Sequence, residues 1–312
     1  MFQLANAQTK VFADFDAKAA PDSNLLTWLD LRQPSKDELE AVISLTGAPA
    51  ALLDIAADMQ TSLQADQEEG WLLLVTRVMD RTDGGFTPQN LGILVGEKHL
   101  ITIHETDIPE FREVFHEWKT EPIACGPDLL YYLFDTLLDC LFPMLDDIEE
   151  NLYQVEESII QNDMQRDALQ DILRSSRQLL VIRKVGGAIR ESTNAVLRHT
   201  SQRKKEWARF QEIYDHATRV VDTAEILHEV SSNSIDAHLA SVSNQLNGVM
   251  KTLTIMATIL MTVSLISGIF GMNFAFPHLI KDQSLRGFWF AIGAMGASVS
   301  ALLFWFKKKR YF

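Results

Sequence analysis

Proline is absent between Pro143 and Pro277. Proline interrupts helices because it lacks a backbone N–H and clashes with the preceding turn, so a stretch this long without it indicates long helices. We predict three helices, over about 128–162, 164–200 and 202–270. At 1.5 Å per residue the last would be on the order of 100 Å long.

The chain also has few cysteines and fewer basic than acidic residues. The two cysteines, Cys125 and Cys140, form no metal or disulfide pattern, which is typical of a reducing compartment. The net charge of −14 excludes a nucleic-acid binder, because such a protein needs a basic face. The first residues lack a signal sequence, so we expect the soluble part to be cytoplasmic. The chain carries neither a phosphate-binding loop nor a catalytic constellation, and we do not expect an enzyme.

Charged side chains are absent from residues 252–280 and again from 287–306. Each run contains the roughly 20 apolar residues that a helix needs to cross about 30 Å of hydrocarbon. The alternative is a pair of buried core helices. Four basic residues follow the second run, and positive flanks stay in the cytoplasm. The sequence therefore predicts a multi-pass protein of the cell inner (plasma) membrane, with both termini cytoplasmic and an external loop over 274–286.

Basic residues are absent between Lys119 and Arg166, where eleven acidic residues occur. The ordinary interpretation of such a run is a solvent-exposed helix face. The functional interpretation is a diffuse attractor for divalent cations, strengthened where several copies assemble.

The first 120 residues alternate between strand-like and helix-like segments. Apolar runs predict strands over 24–31, 70–80, 91–97 and 99–106. Helical spacing predicts helices over 35–47, 49–59 and 109–119. In the first of these helices Ser35 and Glu38 form a capping box and Gly47 a stop signal.

These segments predict an α+β cytoplasmic domain followed by long stalk helices and two C-terminal transmembrane helices. The expected boundaries are 1–120 for the α/β domain, 121–201 for an acidic helical hairpin, 202–251 for a stalk helix, 252–273 and 287–306 for the transmembrane helices, and 307–312 for a basic tail.

Two lines of residues follow helical spacing along the last predicted helix. The first is apolar and indicates a seam, packed against the chain's own helices or, as we favour, against further copies: Phe210, Ile213, Ala217, Val220, Ala224, Leu227, Ile235, Leu239, Val242 and Leu246. The second is small, polar or thioether: Asn247, Met250, Thr254, Ala257, Met261, Ser264, Gly268 and Gly271. Small residues permit close helix packing or line a shared pore. Asn247 favours the pore, because an amide near the membrane edge is costly unless paired or wetted.

The first span ends on Gly271, Met272 and Asn273. Together with the preceding "NGVMKTLTIMATILMTVSLISGIF", this triplet resembles the pore helix of the CorA family of divalent-cation channels. The upstream "RFQEIYDHATRVVDTAEI" resembles the family's stalk, and "KKKRYF" is similar to its basic tail. The resemblance implies a funnel-shaped homo-oligomer, a pentamer, whose stalk helices surround one pore. Magnesium would be the main ion, with cobalt or nickel secondary.

The resemblance also implies roles for individual residues. Gly271, Met272 and Asn273 would form the outer selectivity filter. Asp54 would face Glu212 of a neighbouring copy across a regulatory magnesium ion, and Asp236 would lie near the inner mouth. Together with the spacing above, it assigns pore-lining positions to Asn247, Met250, Leu253, Thr254, Ala257, Met261, Ser264 and Gly268. A basic ring would comprise Lys307, Lys308, Lys309 and Arg310.

The filter chemistry fits magnesium, which dehydrates reluctantly, because amide oxygens of Asn273 accept hydrogen bonds from the ion's water shell. The expected activity is passive, gated uptake driven by the membrane potential. Two alternatives stay open. One is a zinc transporter of the ZntB-like branch, since Ala275 and His278 replace loop carboxylates that the family often carries. The other is a membrane-anchored oligomeric scaffold or sensor without ion flux.

Overall fold

The structure is a computed structural model of the chain, and it describes residues 2–6, 13–14, 26–82, 85–120, 123, 125–160, 168–199, 204–271 and 285–309. It divides into two compact units, Met1–Ile235 and Asp236–Phe312, each described by itself below.

A mixed sheet is the centre of the first unit. Its strands, in chain order, are β1 Phe2–Asn6, β2 Ala13–Asp14, β3 Thr27–Arg32, β4 Gln64–Glu68, β5 Trp71–Thr82, β6 Gly85–Val95 and β7 His99–His104. They lie in the order β2-β1-β3-β7-β6-β5-β4. β3 and β7 run parallel, and the other described neighbours pair antiparallel.

The helices are α1 Lys36–Thr46, α2 Ala50–Ala57, α3 Phe111–Thr120, α4 Gly126–Asp139, α5 Leu141–Ile160, α6 Ala168–His199, α7 Lys204–Gly271 and α8 Leu285–Lys308. α7 contributes residues 204–235 to the first unit and 236–271 to the second.

Alternating side chains of the sheet enter two separate cores, as expected for a sheet covered on both faces. Leu29 and Leu73 pack with Leu53 of α2 in the smaller core. Trp28 and Leu74 belong to the larger core, which also contains buried residues of α3–α7. α2 lies so close to the sheet that a Cβ atom at Gly92 would clash with the Ala56 carbonyl oxygen.

The capping prediction for α1 is confirmed. The Glu38 amide donates to Ser35 Oγ over 3.3 Å, and the Ser35 amide donates to Glu38 Oε2 over 2.7 Å. Gly47 ends the helix in the left-handed region, at φ +69°, a conformation that glycine adopts without a steric penalty. Helix and strand types in 26–120 agree with the sequence prediction where an apolar pattern was present.

Polar strand segments escaped the prediction. β4 reads Gln-Ala-Asp-Gln-Glu and, among the described strands, is an exposed edge strand whose single neighbour is β5. The first half of β6, around Pro88, pairs with β5 at Met79. Each segment contributes a single apolar side chain to the larger core, Ala65 from β4 and Phe86 from β6. One apolar residue makes no alternating pattern, so backbone pairing with β5 is the main reason for their strand conformation.

The single helix predicted over 128–162 is wrong. α4 ends at Asp139 and α5 begins at Leu141. Pro143 explains the interruption, because it has no N–H to donate to the Asp139 carbonyl and is tolerated only in the first turn of a new helix.

The apolar seam of α7 is buried within the chain in its first half. Phe210, Ile213 and Val220 belong to the larger core, so this half requires no second copy. The polar segment between the seam residues Leu227 and Ile235 is also packed. Ser234 Oγ donates to Glu156 Oε1 of α5 over 2.9 Å, and Ser231 Oγ donates to the Ile172 carbonyl of α6 over 3.4 Å. Further along the seam, Leu239 and Leu246 are exposed.

The second unit contains the remainder of α7 and the whole of α8. Both helices are long and apolar enough to cross a membrane by length and composition, and only 6% of the most apolar window of each is buried. Within one chain, therefore, these two helices are not buried core helices, which was the alternative interpretation of the sequence.

Candidate cation pathway and metal-binding residues

The α7 helix of the second unit has one covered stripe. Ile255 is buried, and a partly buried set continues the stripe along the helix: Thr258, Ile259, Thr262, Val263, Ile266 and Phe270. The Phe270 ring lies 6.3 Å from the Phe290 ring of α8. The covered stripe therefore faces α8.

The predicted pore-lining residues lie on another face of the same helix, and all of them are exposed: Asn247, Met250, Leu253, Thr254, Ala257, Met261, Ser264 and Gly268. At 3.6 residues per turn, the centre of this line is roughly 150° around the helix from the covered stripe. We call it the α7 open face. Its role as the lining of a pore stays a prediction.

Threonine hydroxyls along α7 bond to their own helix. Thr254 Oγ1 donates to the Met250 carbonyl and Thr258 Oγ1 to the Thr254 carbonyl, each over 2.8 Å. This arrangement satisfies the hydroxyl hydrogen in a nonpolar surrounding and leaves the oxygen free to accept. On the open face, Thr254 thus presents an acceptor that suits the water shell of a hydrated cation.

The two ends of the predicted pathway are described only in part. Gly271 is the last described residue of α7 and is exposed, whereas Met272 and Asn273 lie outside the described residues, as does the loop 274–284. Asp236 is exposed at the start of the second unit, and Lys307, Lys308 and Lys309 are exposed at the end of α8. Arg310 lies outside the described residues.

The predicted regulatory carboxylates belong to the first unit. Asp54 is exposed on α2. It lies on the side of the helix opposite Leu52 and Leu53, which are buried in the smaller core. Glu212 is exposed on α7, next to the buried Ile213. Within the described part of one chain, no group of three or more His, Cys, Asp or Glu residues is arranged to hold a metal ion. A bridge between Asp54 and Glu212 of different copies stays a prediction.

Glu212 is not isolated, and its neighbourhood was missed by the sequence analysis. Burial raises the pKa of Asp135 on α4, and the charges of Asp139 and Glu212 raise it further, against the opposing effect of His216. Burial, with Asp135 and Glu212, raises the pKa of Tyr131 to about 12. We call Tyr131, Asp135, Asp139 and Glu212 the Glu212 cluster.

The arginine beside this cluster already has partners. Arg209 donates to Asp128 Oδ1 over 3.0 Å, and its guanidinium carbon lies 5.2 Å from the centre of the Tyr131 ring. Asp135 is therefore a half-buried carboxyl whose ionisation is disfavoured by the two exposed carboxylates of Asp139 and Glu212. The available signal in the sequence was the four-residue spacing of Asp135 and Asp139 on one helix face, within the stretch that lacks basic residues.

The comparisons with known proteins agree with this architecture. The family model described as CorA-like Mg2+ transporter protein matches residues 23–308. The cobalt/magnesium transport protein CorA of Thermotoga maritima is 32% identical over 185 residues, which are 59% of this chain and 52% of that protein. That match spans about half of the relative's own length. The Bacillus subtilis protein YfjQ is 28% identical over 302 residues, covering 91% of this chain and 89% of the relative.

Among solved structures, the fold is similar to the complete structure of the CorA magnesium transporter from Methanocaldococcus jannaschii. The TM-score is 0.82 at 21% identity, with 100% of this chain and 99% of that chain covered. An N-terminal α/β domain, a long helix and two C-terminal apolar helices are thus common to both chains.

Proposed function

Because this chain belongs to the CorA-like Mg2+ transporter family, we propose that several copies of it, five by family resemblance, surround one pathway for divalent cations. The observation that carries the proposal is the α7 open face, a line in which every side chain except Leu253 is small, polar or a thioether and which lies on the side of α7 away from α8. Arranged around a central axis, these faces form a wet lining, while the apolar remainder of α7 and α8 contacts lipid.

The external end of the pathway selects a hydrated ion. Gly271, Met272 and Asn273 form the filter, in which amide oxygens of Asn273 accept hydrogen bonds from water bound to Mg2+. Magnesium loses its water reluctantly, and a ring of carboxylates would hold the ion too tightly for rapid release. Cobalt and nickel, with similar hydrated shells, follow the same route.

Transport needs no chemical energy source, and the chain acts as a channel rather than an enzyme. An inside-negative potential contributes about 2.3 kcal/mol per charge per 100 mV, which is roughly 4.6 kcal/mol for a divalent ion. At about 1.4 kcal/mol per decade, this supports an accumulation on the order of 10³-fold. In this arrangement the protein lies in the cell inner (plasma) membrane with both termini in the cytoplasm.

Intracellular magnesium closes the channel through the first unit. Asp54 of one copy and Glu212 of the next share a regulatory Mg2+, and the raised pKa of Asp135 supports this assignment, because a divalent cation relieves repulsion within the Glu212 cluster. Bound magnesium holds neighbouring copies together and keeps Met250 and Leu253 as a dry constriction. When the ion leaves, the carboxylates repel one another and the constriction widens.

Two alternatives make different predictions. A zinc transporter of the ZntB-like branch is favoured by His278 and by the missing loop carboxylates, but the family match favours magnesium. A scaffold or sensor would use the same helices only for assembly. Competition between zinc and magnesium for uptake distinguishes a zinc transporter from a magnesium channel. The absence of any ion flux would identify a scaffold or sensor.

The decisive experiment is Mg2+ uptake into liposomes that contain the purified full-length protein and an inside-negative potential. Asn273→Ala is expected to lower uptake at least tenfold, because the filter loses its acceptors. Phe304→Leu, an apolar exchange on an exposed position of α8, is the matched control and should leave uptake unchanged. Equal uptake by wild type and Asn273→Ala would refute the proposed filter.

A further inference from the structure

Helix α2, which carries the proposed regulatory carboxylate Asp54, contacts the sheet through its backbone. Gly92 of β6 lies under Ala56 of α2, and a Cβ atom at residue 92 would clash with the carbonyl group and the Cα atom of Ala56. Glycine therefore permits a close approach that a residue with a Cβ atom would prevent. A contact between two backbones leaves no flexible side chain that could adapt if the helix shifted.

Asp54 lies on the side of α2 that faces away from this contact. At 3.6 residues per turn, Asp54 and Ala56 are about 160° apart around the helix. Ala56 is buried against the sheet, whereas Asp54 is exposed. The place of the Asp54 carboxylate therefore follows the place of the α2 backbone on the sheet.

Asn90, two residues before Gly92 on β6, holds the chain directly after α2. Its Nδ2 group donates one hydrogen bond to the Met59 carbonyl and another to the Thr61 carbonyl, each over 2.8 Å. Both partners are acceptors, so both hydrogens of the amide nitrogen are used. Residues two apart on a strand point to the same face of a sheet, which here is the face that α2 covers. The strand under α2 thus also anchors the end of α2.

The anchored turn is continuous with the last turn of α2. The Asp58 amide donates to the Asp54 carbonyl over 3.2 Å. The Gln60 amide donates to Asp58 Oδ1 and the Thr61 amide donates to the Asp58 carbonyl, each over 3.0 Å. Because these hydrogen bonds close the turn onto the helix, a displacement of the turn would also displace the backbone of Asp54.

We propose that Asn90 and Gly92 are positioning residues for the regulatory magnesium ion. They fix α2 on the sheet, so that Asp54 meets Glu212 of the next copy in one geometry. Magnesium demands near-ideal octahedral coordination, and a ligand on a fixed backbone loses less conformational freedom on binding than one on a mobile helix. The inference rests on the regulatory ion of the proposed function and adds the residues that place one of its ligands.

Inhibition of the current by internal Mg2+ in excised patches tests the proposal. Asn90→Ala removes both donors, and we expect the Mg2+ concentration for half-inhibition to rise several-fold. Gln89→Ala is the matched control. Gln89 is the neighbouring amide on β6, its side chain points to the opposite face of the sheet, and its Oε1 accepts a hydrogen bond from the Thr106 amide over 3.2 Å. Gln89→Ala should leave the half-inhibition concentration unchanged.

A second background separates positioning of the ion from other effects of the substitution. In a chain that already carries Asp54→Asn and Glu212→Gln, Asn90→Ala should cause no further rise in the half-inhibition concentration. A further rise of equal size in this background would overturn the inference, because Asn90 would then act independently of the two carboxylates.

Amide hydrogen exchange of the full-length protein without Mg2+ measures how firmly α2 is held. Asn90→Ala should increase exchange several-fold over residues 50–61, as should Gly92→Ala, whereas Gln89→Ala should not. An unchanged half-inhibition concentration in Asn90→Ala, beside a raised one in the Asp54→Asn/Glu212→Gln variant, would overturn the positioning role while the gating proposal stands. An unchanged concentration in the carboxylate variant itself would overturn both.

Discussion

Gly186 of α6 lies directly against Val220 of α7. A Cβ atom at residue 186 would come within 2.9 Å of Val220 Cγ1 and 3.4 Å of Val221 Cγ2. The crossing of the two helices therefore depends on the missing side chain at Gly186. The neighbouring Gly187 has no atom within 4 Å of the equivalent position.

Gly186→Ala is expected to destabilise the first unit by about 1–3 kcal/mol, because the crossing is already in contact and the added methyl group overpacks it. Gly187→Ala is the matched control and should stabilise α6 by up to about 1 kcal/mol through helix propensity. Thermal unfolding of the purified protein measures both. Equal effects of the two substitutions would show that the crossing is looser than the contact distance indicates.

Thr254 and Thr258 form a matched pair on α7, since each hydroxyl donates to the carbonyl four residues earlier over 2.8 Å. Thr254 lies on the open face and Thr258 on the covered stripe. Thr254→Val should reduce Mg2+ uptake into liposomes several-fold, because the pathway loses an acceptor for the water shell. Thr258→Val removes the same type of hydrogen bond and should change uptake little. The opposite order of effects would move the pathway to another face.

Neutralising Asp54 and Glu212, the proposed regulatory carboxylates, should weaken closure by internal magnesium. Asp54→Asn combined with Glu212→Gln keeps the side-chain shapes and removes the charges that would hold the ion. We expect the internal Mg2+ concentration for half-inhibition of current in excised patches to rise at least tenfold, which corresponds to about 1.4 kcal/mol of binding energy. Glu40→Gln, an exposed exchange on α1, is the control. An unchanged midpoint in the double variant would contradict the gating proposal.

Asp135 should make stability depend on pH. Its pKa is raised above 3.8 in the folded protein, so the folded state retains a proton that the unfolded chain releases. This contribution favours folding at low pH and is lost as pH rises through the raised pKa. Without divalent cations at about pH 7.5, Asp135→Asn should therefore raise Tm by about 2–4 °C, the equivalent of roughly 1 kcal/mol.

The advantage of Asp135→Asn should disappear under acidic conditions, where both proteins carry a neutral group at residue 135. Added Mg2+ should stabilise wild type more than the variant, because the ion relieves repulsion among the carboxylates. Glu149→Gln on α5 serves as the control for loss of one negative charge. A variant that is less stable than wild type at neutral pH would show that the Glu212 cluster is compensated in another way.

Local signals in the sequence predicted most of the fold. The capping box at Ser35 and Glu38 located α1 because its hydrogen bonds form between residues three apart. The uncharged runs located the apolar helices α7 and α8, since hydrocarbon tolerates no unpaired charge. β4 and the first half of β6 were not predicted, because their strand conformation depends on pairing with β5 and most of their own side chains are polar.

The sequence predicted the part of the candidate site that lies along a single helix, α7. The α7 open face comes from residues in helical spacing, so exposure of Met250, Thr254 and Met261 agrees with the pattern. The Glu212 cluster joins α4 to α7, and pairs of residues about 80 positions apart leave no periodic signal. The same limit applies to the apolar seam, whose spacing was compatible with a partner copy or with the chain's own helices.

The sequence by itself determined the membrane-sized helices, the α/β character of the first unit and the line of small and polar residues along α7. These properties depend on hydrophobicity and helical periodicity, which act between near neighbours in the chain. Only the tertiary structure decided that the seam residues between Phe210 and Leu227 are buried by the chain's own helices. It also decided that α8 covers the opposite side of α7 and that Asp135 lies near Glu212. Such contacts join distant segments, and their selection depends on packing the whole chain at once.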